Sequence, residues 1–190
     1  MSIYKKLGVE PIINATGNVT RLGGSRLRAV ALEAYALASQ QSVSLEHLQA
    51  AASQQIANLT GAEAGLITSG AAAGLTLGSA AILTGLDSGR MEKLPDTRDM
   101  PAEIIVAREH RSGYDHAVRA SGAQLVEVGF QEQVAGAGVR RAEAWEYEAA
   151  IGDQTAGILY VEQATAHPPL ADIVAVAQSH NLPLLVDAAG

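Results

Sequence analysis

Four short stretches of this chain carry side chains able to do chemistry, and each lies where an apolar run ends. In Pro183 to Gly190, the residues Leu184, Leu185 and Val186 read as a buried strand that delivers one carboxylate, Asp187. A buried carboxylate needs a partner, because an isolated charge out of water is costly enough to take up a proton instead. In Ile67-Thr68-Ser69-Gly70-Ala71-Ala72-Ala73-Gly74 an apolar segment passes through small residues into a helix start. Unpaired backbone N–H groups and the positive end of the helix dipole there can hold an anion such as a phosphate. The competing reading is that Ser69 only caps the helix while Gly and Ala allow close packing. The third stretch is Arg108-Glu109-His110-Arg111, followed by Tyr114 and Asp115. A His at the carboxyl end of a parallel strand faces the crevice where open α/β sheets bind ligands, and its flat ring can stack on an aromatic cofactor; a purely structural His is the alternative. The fourth is Glu162-Gln163-Ala164-Thr165, where the Gln163 amide can donate a hydrogen bond to a ring oxygen.

The elements that must position these groups are legible from periodicity. Continuous apolar runs, instead of alternating ones, mark strands buried on both faces, and they alternate with helical patterns. Strands are expected at Gly65 to Thr68, Glu103 to Ala107, Gln124 to Val128, Gly157 to Val161 and Leu184 to Val186. Helices are expected at Leu27 to Gln40, Leu45 to Leu59, Ala71 to Leu83, Gly113 to Ala120, Ala142 to Ile151 and Leu170 to Ser179. Ser44 reads as the N-cap of the second helix, with Glu46 in its first turn and Gly61 as its stop. Thr84 to Pro101, rich in Gly, Asp and Pro, reads as a long surface loop or insertion. The result is an α/β domain with a mostly parallel sheet.

Composition narrows the function. The chain has 190 residues, 48% hydrophobic and 17% charged, which suits one sizeable core. The absence of Cys excludes disulfides, thiolate metal sites and a Cys nucleophile, and suits a reducing, cytoplasmic setting. No signal peptide or membrane-length apolar stretch is present, so no membrane association is expected. A net charge of -7 with scattered Arg26, Arg28, Arg140 and Arg141 argues against nucleic acid as a partner. His47, His110, His116, His167 and His180 lack metal-ligand spacing, so no metal is expected. Neither Ser69 nor Ser79 lies in Gly-x-Ser-x-Gly, and the loop at Ser69 is neither a Walker loop nor a Gly-x-Gly-x-x-Gly turn.

A phosphate cradle, a flat ring, an amide and a carboxylate on one sheet edge together suit pyridoxal 5'-phosphate, whose ring nitrogen stays protonated when an Asp accepts its hydrogen bond. At these residues the chain resembles the fold type I pyridoxal-phosphate enzymes, in the branch of selenocysteine synthase and D-glucosaminate-6-phosphate ammonia lyase. The resemblance is carried by Ile12-Ile13-Asn14-Ala15-Thr16-Gly17, Leu22-Gly23-Gly24-Ser25, Leu59-Thr60-Gly61-Ala62-Glu63-Ala64, Thr68-Ser69-Gly70-Ala71-Ala72-Ala73, Tyr114-Asp115-His116-Ala117, Gly122-Ala123 and Leu185-Val186-Asp187-Ala188-Ala189. It implies an aspartate aminotransferase-like large domain, an α/β/α sandwich, with residues 1–60 as an N-terminal segment with helices and 61–190 as an incomplete cofactor-binding domain. By that likeness Ser69, Gly70, Ala71 and Ala72 hold the cofactor phosphate, His110 stacks on the ring, Gln163 approaches the phenolic oxygen and Asp187 pairs with the ring nitrogen. Asn14, Thr16 and Gly17 are placed near the substrate.

One departure stands out. The family's Schiff-base lysine follows the Asp-bearing strand, whereas the lysines here are Lys5, Lys6 and Lys93. The chain is therefore expected to be the amino-terminal portion of a longer enzyme, truncated after that strand, with no catalytic residue of its own. In this fold the first strand pairs with a late one, so Gly65 to Thr68 is expected to lose its neighbour and leave an apolar edge or patch that associates. The resemblance implies a parent that is a homodimer or larger homo-oligomer. For that parent a lyase eliminating a β-leaving group from an amino acid or amino sugar acid is the first reading. A selenocysteine synthase-like transferase, which needs a charged tRNA, fits an acidic chain less well, and a non-catalytic α/β binding module is the reading from outside enzymology.

Overall fold

The segment Ile104-Ile105-Val106-Ala107 is wholly shielded from solvent, and everything that positions the site is built around it. The structure, a computed structural model, describes residues 2–17, 19–132, 138, 139 and 141–189; Gly190 lies outside the described residues. The chain divides into two compact units, Met1–Ile67 and Thr68–Gly190.

The first unit holds α1 (Ile3–Lys6), α2 (Ala29–Ala38) and α3 (Leu45–Thr60). Helix α3 starts and stops where its sequence dictates: the Ser44 hydroxyl accepts from the His47 N–H at 3.4 Å, and Gly61, at φ 77°, ends it with its N–H on the Ala57 carbonyl. The expected strand Gly65 to Thr68 does not form. Side chains of α3 replace strand pairing there: Gln49 bonds both the N–H and the C=O of Ile67, and the Ser53 hydroxyl accepts from the Gly65 N–H. Gly65 is required at this approach, since a Cβ would lie 2.6 Å from Ile56. None of the described residues of this unit is buried, and Val30, Leu32, Tyr35 and Leu37 of α2 are each more than half exposed.

The second unit carries a four-stranded parallel sheet in the order β2-β1-β5-β6, from β1 (Glu103–Ala107), β2 (Gln124–Val128), β5 (Thr155–Val161) and β6 (Leu184–Asp187). A two-stranded antiparallel pair, β3 (Gln131–Glu132) with β4 (Gly138–Val139), stands apart. Side chains alternate across the sheet. Ile105, Ala107, Ile158 and Tyr160 form one core with Tyr147 of α7 (Ala144–Ala149) and with Ile173, Val176 and Ala177 of α8 (Leu170–Ser179). Ile104, Val106 and Leu159 form the other with Leu75 and Leu83 of α4 (Ala71–Thr84) and with Val118 of α6 (Asp115–Arg119). This is the expected α/β/α sandwich. Helix α4 sits close over the sheet because glycines face it: a Cβ on Gly78 would lie 2.9 Å from Leu185, and one on Gly157 2.9 Å from Ile82.

Thr84 to Pro101 is not simply a loop. It contains α5 (Ser88–Lys93), capped by Asp87, whose Oδ1 accepts from the N–H groups of Gly89 and Arg90. An Asp side chain satisfying two first-turn donors is enough to start a short helix within a Gly- and Pro-rich stretch. Strand β6 also differs from expectation. It lies at the end of the sheet order and is only partly buried, so Asp187 is a half-buried carboxylate, not a fully buried one.

Candidate functional site

The carboxyl ends of β1, β5 and β6 and the start of α4 converge on one edge of the sheet. At α4 no side chain caps the helix. Gly70 is the N-cap, at φ 128°, a conformation that favours glycine. Ser69 therefore does not cap, although the close packing of the competing reading is seen further along α4 at Gly78; Thr68 instead donates its hydroxyl to the Gly70 carbonyl at 3.0 Å. The first N–H groups of α4 are left to face whatever occupies the edge.

Asp187 closes β6, opposite Val161 of β5, and its Oδ1 accepts from the Ala189 N–H at 3.1 Å. Ala71, Gly74 and Leu75 of α4 line a hollow of ≈ 360 Å³ together with Leu185, Val186, Asp187, Ala188 and Ala189. A narrow slot beside it is lined by Asp187, Leu75, His110, Tyr114, Asp115 and Leu159, among others. A third hollow, of ≈ 80 Å³, is lined by His110, Gln163, Glu109, Arg141, Thr165, Ala166 and His167. Asp187 and Leu75 belong to the first two and His110 to the last two, so the three adjoin in a row from the start of α4 to Gln163.

His110 is the pivot. It lies in the short 3-10 turn Arg108–His110 directly after β1, is 3% exposed, and meets the Tyr160 ring edge-on at 4.8 Å. Burial lowers its pKa below the ordinary histidine value, opposed by the charges of Glu109 and Glu162, so the ring is neutral near pH 7. The Val161 N–H donates to Nδ1 at 3.5 Å, which leaves the proton on Nε2. That Nε2 is buried and has no hydrogen-bond partner among the described residues. The loop carrying it is fixed by charges that sequence reading passed over. Asp115, 6% exposed, takes the Arg111 Nε at 2.5 Å and the Ser112 N–H at 3.2 Å, while Arg111 and Arg108 both reach Glu127 on β2. The i,i+4 spacing of Arg111 and Asp115 was the available signal. Arg141, in the third hollow, carried no sequence signal at all.

Asn14, Thr16 and Gly17 belong to the first unit, where Asn14 folds a tight turn: its Oδ1 accepts from the Thr16 N–H and hydroxyl, and its Nδ2 donates to the Gly17 carbonyl. Among the described residues no lysine lines the three hollows, and Lys93 is paired with Asp99 at 3.0 Å.

The chain matches no protein-family model. It is 35% identical to the D-glucosaminate-6-phosphate ammonia lyase of Salmonella typhimurium, over 99% of this chain and 51% of that protein. The solved structure of D-glucosaminate-6-phosphate ammonia-lyase superposes with a TM-score of 0.89 at 34% identity, covering 99% of this chain and 51% of that one. The chain is homologous to about half of that ammonia lyase. An aspartate aminotransferase from Thermotoga maritima, only 16% identical, shares the fold at a TM-score of 0.54 over 97% of this chain and 48% of that one. A 5'-C-glycyluridine monooxygenase-decarboxylase from Streptomyces is 34% identical over 98% of this chain and 47% of that protein. The chain thus spans about half the length of the curated relatives it matches. No helix among the described residues is long and apolar enough to cross a membrane.

Proposed function

We propose that this chain forms part of a pyridoxal 5'-phosphate-dependent lyase that acts at Cα and Cβ of an amino acid or amino sugar acid, with loss of a β-substituent such as ammonia. The observation that carries the reading is the row of adjoining hollows linking Ala71, Asp187, His110 and Gln163 along one sheet edge. The residues fit the cofactor. The uncapped start of α4 and the side-chain-free turn at Gly70 suit a phosphate, the Asp187 carboxylate suits a pyridinium nitrogen, and the orphaned Nε2–H of His110 marks a place where a polar partner is wanted.

When bound, the cofactor supplies an electron sink for negative charge developing at Cα. The chain's residues hold and tune it. Backbone N–H groups from Ser69 to Ala72 would hold the phosphate, Asp187 would keep the ring nitrogen protonated, His110 would stack on the ring and Gln163 would donate to its phenolic oxygen. Asn14, Thr16 and Gly17 are assigned to the substrate by resemblance alone. We place the enzyme in the cytoplasm, consistent with a chain free of cysteine, and as a homo-oligomer, for which the exposed apolar residues of α2 provide surface.

Calorimetric titration with pyridoxamine 5'-phosphate, which needs no Schiff-base lysine, tests the reading. The purified chain should bind it at least about tenfold more tightly than pyridoxamine, and Asp187→Asn should weaken it by about tenfold, the worth of a charge-assisted hydrogen bond. Equal affinity for the two compounds, or an Asp187→Asn variant that binds like the parent chain, overturns it.

A further inference from the structure

The end of β5 is tied to three of the groups that the cofactor reading uses. The Glu162 N–H donates to the Asp187 carbonyl at 2.8 Å and the Val161 N–H to His110 Nδ1 at 3.5 Å. Tyr160 meets the His110 ring edge-on, with centroids 4.8 Å apart, and its hydroxyl donates to the Pro168 carbonyl at 2.7 Å. The segment that this last bond closes carries Gln163 and lines the third hollow with Gln163, Thr165, Ala166 and His167. Its other ties are local or lie at the surface. The Ala166 N–H bonds the Gln163 carbonyl within the segment, and the Arg141 bond to the Thr165 carbonyl is exposed. The Tyr160 bond lies in the core: Tyr160 is 1% exposed and belongs to the cluster of Ile105, Tyr147 and Ile173, and Pro168 is buried as well. An exposed hydrogen bond can be exchanged for one to water, but a buried carbonyl that loses its donor has no replacement.

We propose that Tyr160 is a positioning residue of the site, whose ring sets the orientation of His110 and whose hydroxyl fixes the segment that presents Gln163. One side chain thereby couples the group after β1 to the group after β5. The proposal deepens the lyase reading and rests on it, since His110 and Gln163 are the residues assigned to the cofactor ring. The two roles separate by substitution: Tyr160→Phe keeps the ring and removes the hydroxyl, whereas Tyr160→Leu removes both. Because the hydroxyl acts through Gln163, its loss can remove no more affinity than Gln163 itself supplies.

A double-mutant cycle tests the hydroxyl, with pyridoxamine 5'-phosphate binding to the purified chain followed by calorimetric titration. Gln163→Ala should weaken binding about fivefold, the worth of one hydrogen bond, and Tyr160→Phe by up to the same factor. The double variant should bind no more weakly than Gln163→Ala alone, a coupling that a merely structural hydroxyl would not produce. The ring is tested without ligand, from the imidazole nitrogen signals of His110 in the 15N-labelled chain. They should keep a single-tautomer pattern in Tyr160→Phe and move toward averaged positions in Tyr160→Leu, where Nδ1 is no longer held to the Val161 N–H. Losses that multiply in the cycle, a Tyr160→Phe variant that binds like the parent chain, or unaltered His110 signals in Tyr160→Leu overturn the proposal. Where Tyr160→Leu does not fold, the cycle decides alone, since Tyr160→Phe keeps the core ring. A parent chain that binds pyridoxamine 5'-phosphate no better than pyridoxamine faults the cofactor reading instead, and the His110 signals still decide whether Tyr160 orients that ring.

Discussion

Two glycines of the same helix should respond to alanine in opposite directions. Gly74 and Gly78 both lie in α4, where replacing Gly by Ala removes backbone freedom from the unfolded chain and gains roughly 0.5–1 kcal/mol. At Gly74 the only neighbour a Cβ meets is the Thr68 hydroxyl, at 3.8 Å, an ordinary contact, so Gly74→Ala should keep the whole gain. At Gly78 the same Cβ lands 2.9 Å from Leu185 Cδ1 and 3.5 Å from Cδ2, so α4 or Leu185 must move. Overpacking of this kind costs about 1–3 kcal/mol, and Leu185, the residue that would have to give, is itself packed against the core. The net for Gly78→Ala is then a loss of up to about 2 kcal/mol. Scanning calorimetry resolves the pair: at roughly 2–4 °C per kcal/mol, Gly74→Ala should melt about 2–3 °C higher and Gly78→Ala several degrees lower. Leu185→Val in the Gly78→Ala background should recover part of the loss, as coupled neighbours do. If Gly78→Ala stabilises as much as Gly74→Ala, the seam between α4 and β6 is not tight, and the closeness of the α4 start to Asp187 loses its explanation.

Three further outcomes test other parts of the structure. Tyr147 is fully buried and its hydroxyl accepts from the Ala107 N–H at 3.1 Å, so Tyr147→Phe should orphan that donor and lower stability in urea titration by about 1–3 kcal/mol. Asp115→Ala should cost about 2 kcal/mol in the same assay, less than a fully buried pair because the Arg111 side chain is 29% exposed. Asp96 is held down to about 2 by its hydrogen bonds from Arg98, so any stability it contributes is complete above the ordinary value of 3.8 and is lost as pH falls from there through about 2. A carbon-detected titration should show this, and Arg98→Ala should return Asp96 to the ordinary carboxylate range.

Strand identity was the most legible part of the fold. Runs such as Glu103 to Ala107 and Gln124 to Val128 match β1 and β2 residue for residue, because each is a short run dominated by Ile, Leu and Val, even though Gln124 and Glu127 of β2 stay exposed. Gly65 to Thr68 reads the same way and fails, since apolar character does not say whether a neighbouring strand exists; Gln49 and Ser53 supply its hydrogen bonds instead. Helix α5 was hidden because a single Asp cap outweighed the surrounding Gly and Pro. At the candidate site, positions at strand ends located His110, Gln163 and Asp187 on one edge, but exposure was misjudged for Asp187, as edge position in a sheet depends on strand order and not on local sequence. The Arg111–Asp115 pair had a local signal in its i,i+4 spacing, but its link to Glu127 and the place of Arg141 beside Thr165 depend on distant segments meeting, which no local pattern encodes.

Strand β5 lies between β1 and β6, so the turn bearing His110 and the strand bearing Asp187 have no common neighbour until β5 is in place. Glu103 pairs with Thr155, which leaves 155 − 103 = 52 positions to be made before that edge of β1 can close. At translation rates of about 5–20 residues per second the nascent chain waits on the order of several seconds with Ile105 and Val106 on an open rim. A ribosome-bound chaperone that shields extended apolar backbone should therefore matter most for this protein in that interval, and slowing translation within it should raise the aggregated fraction.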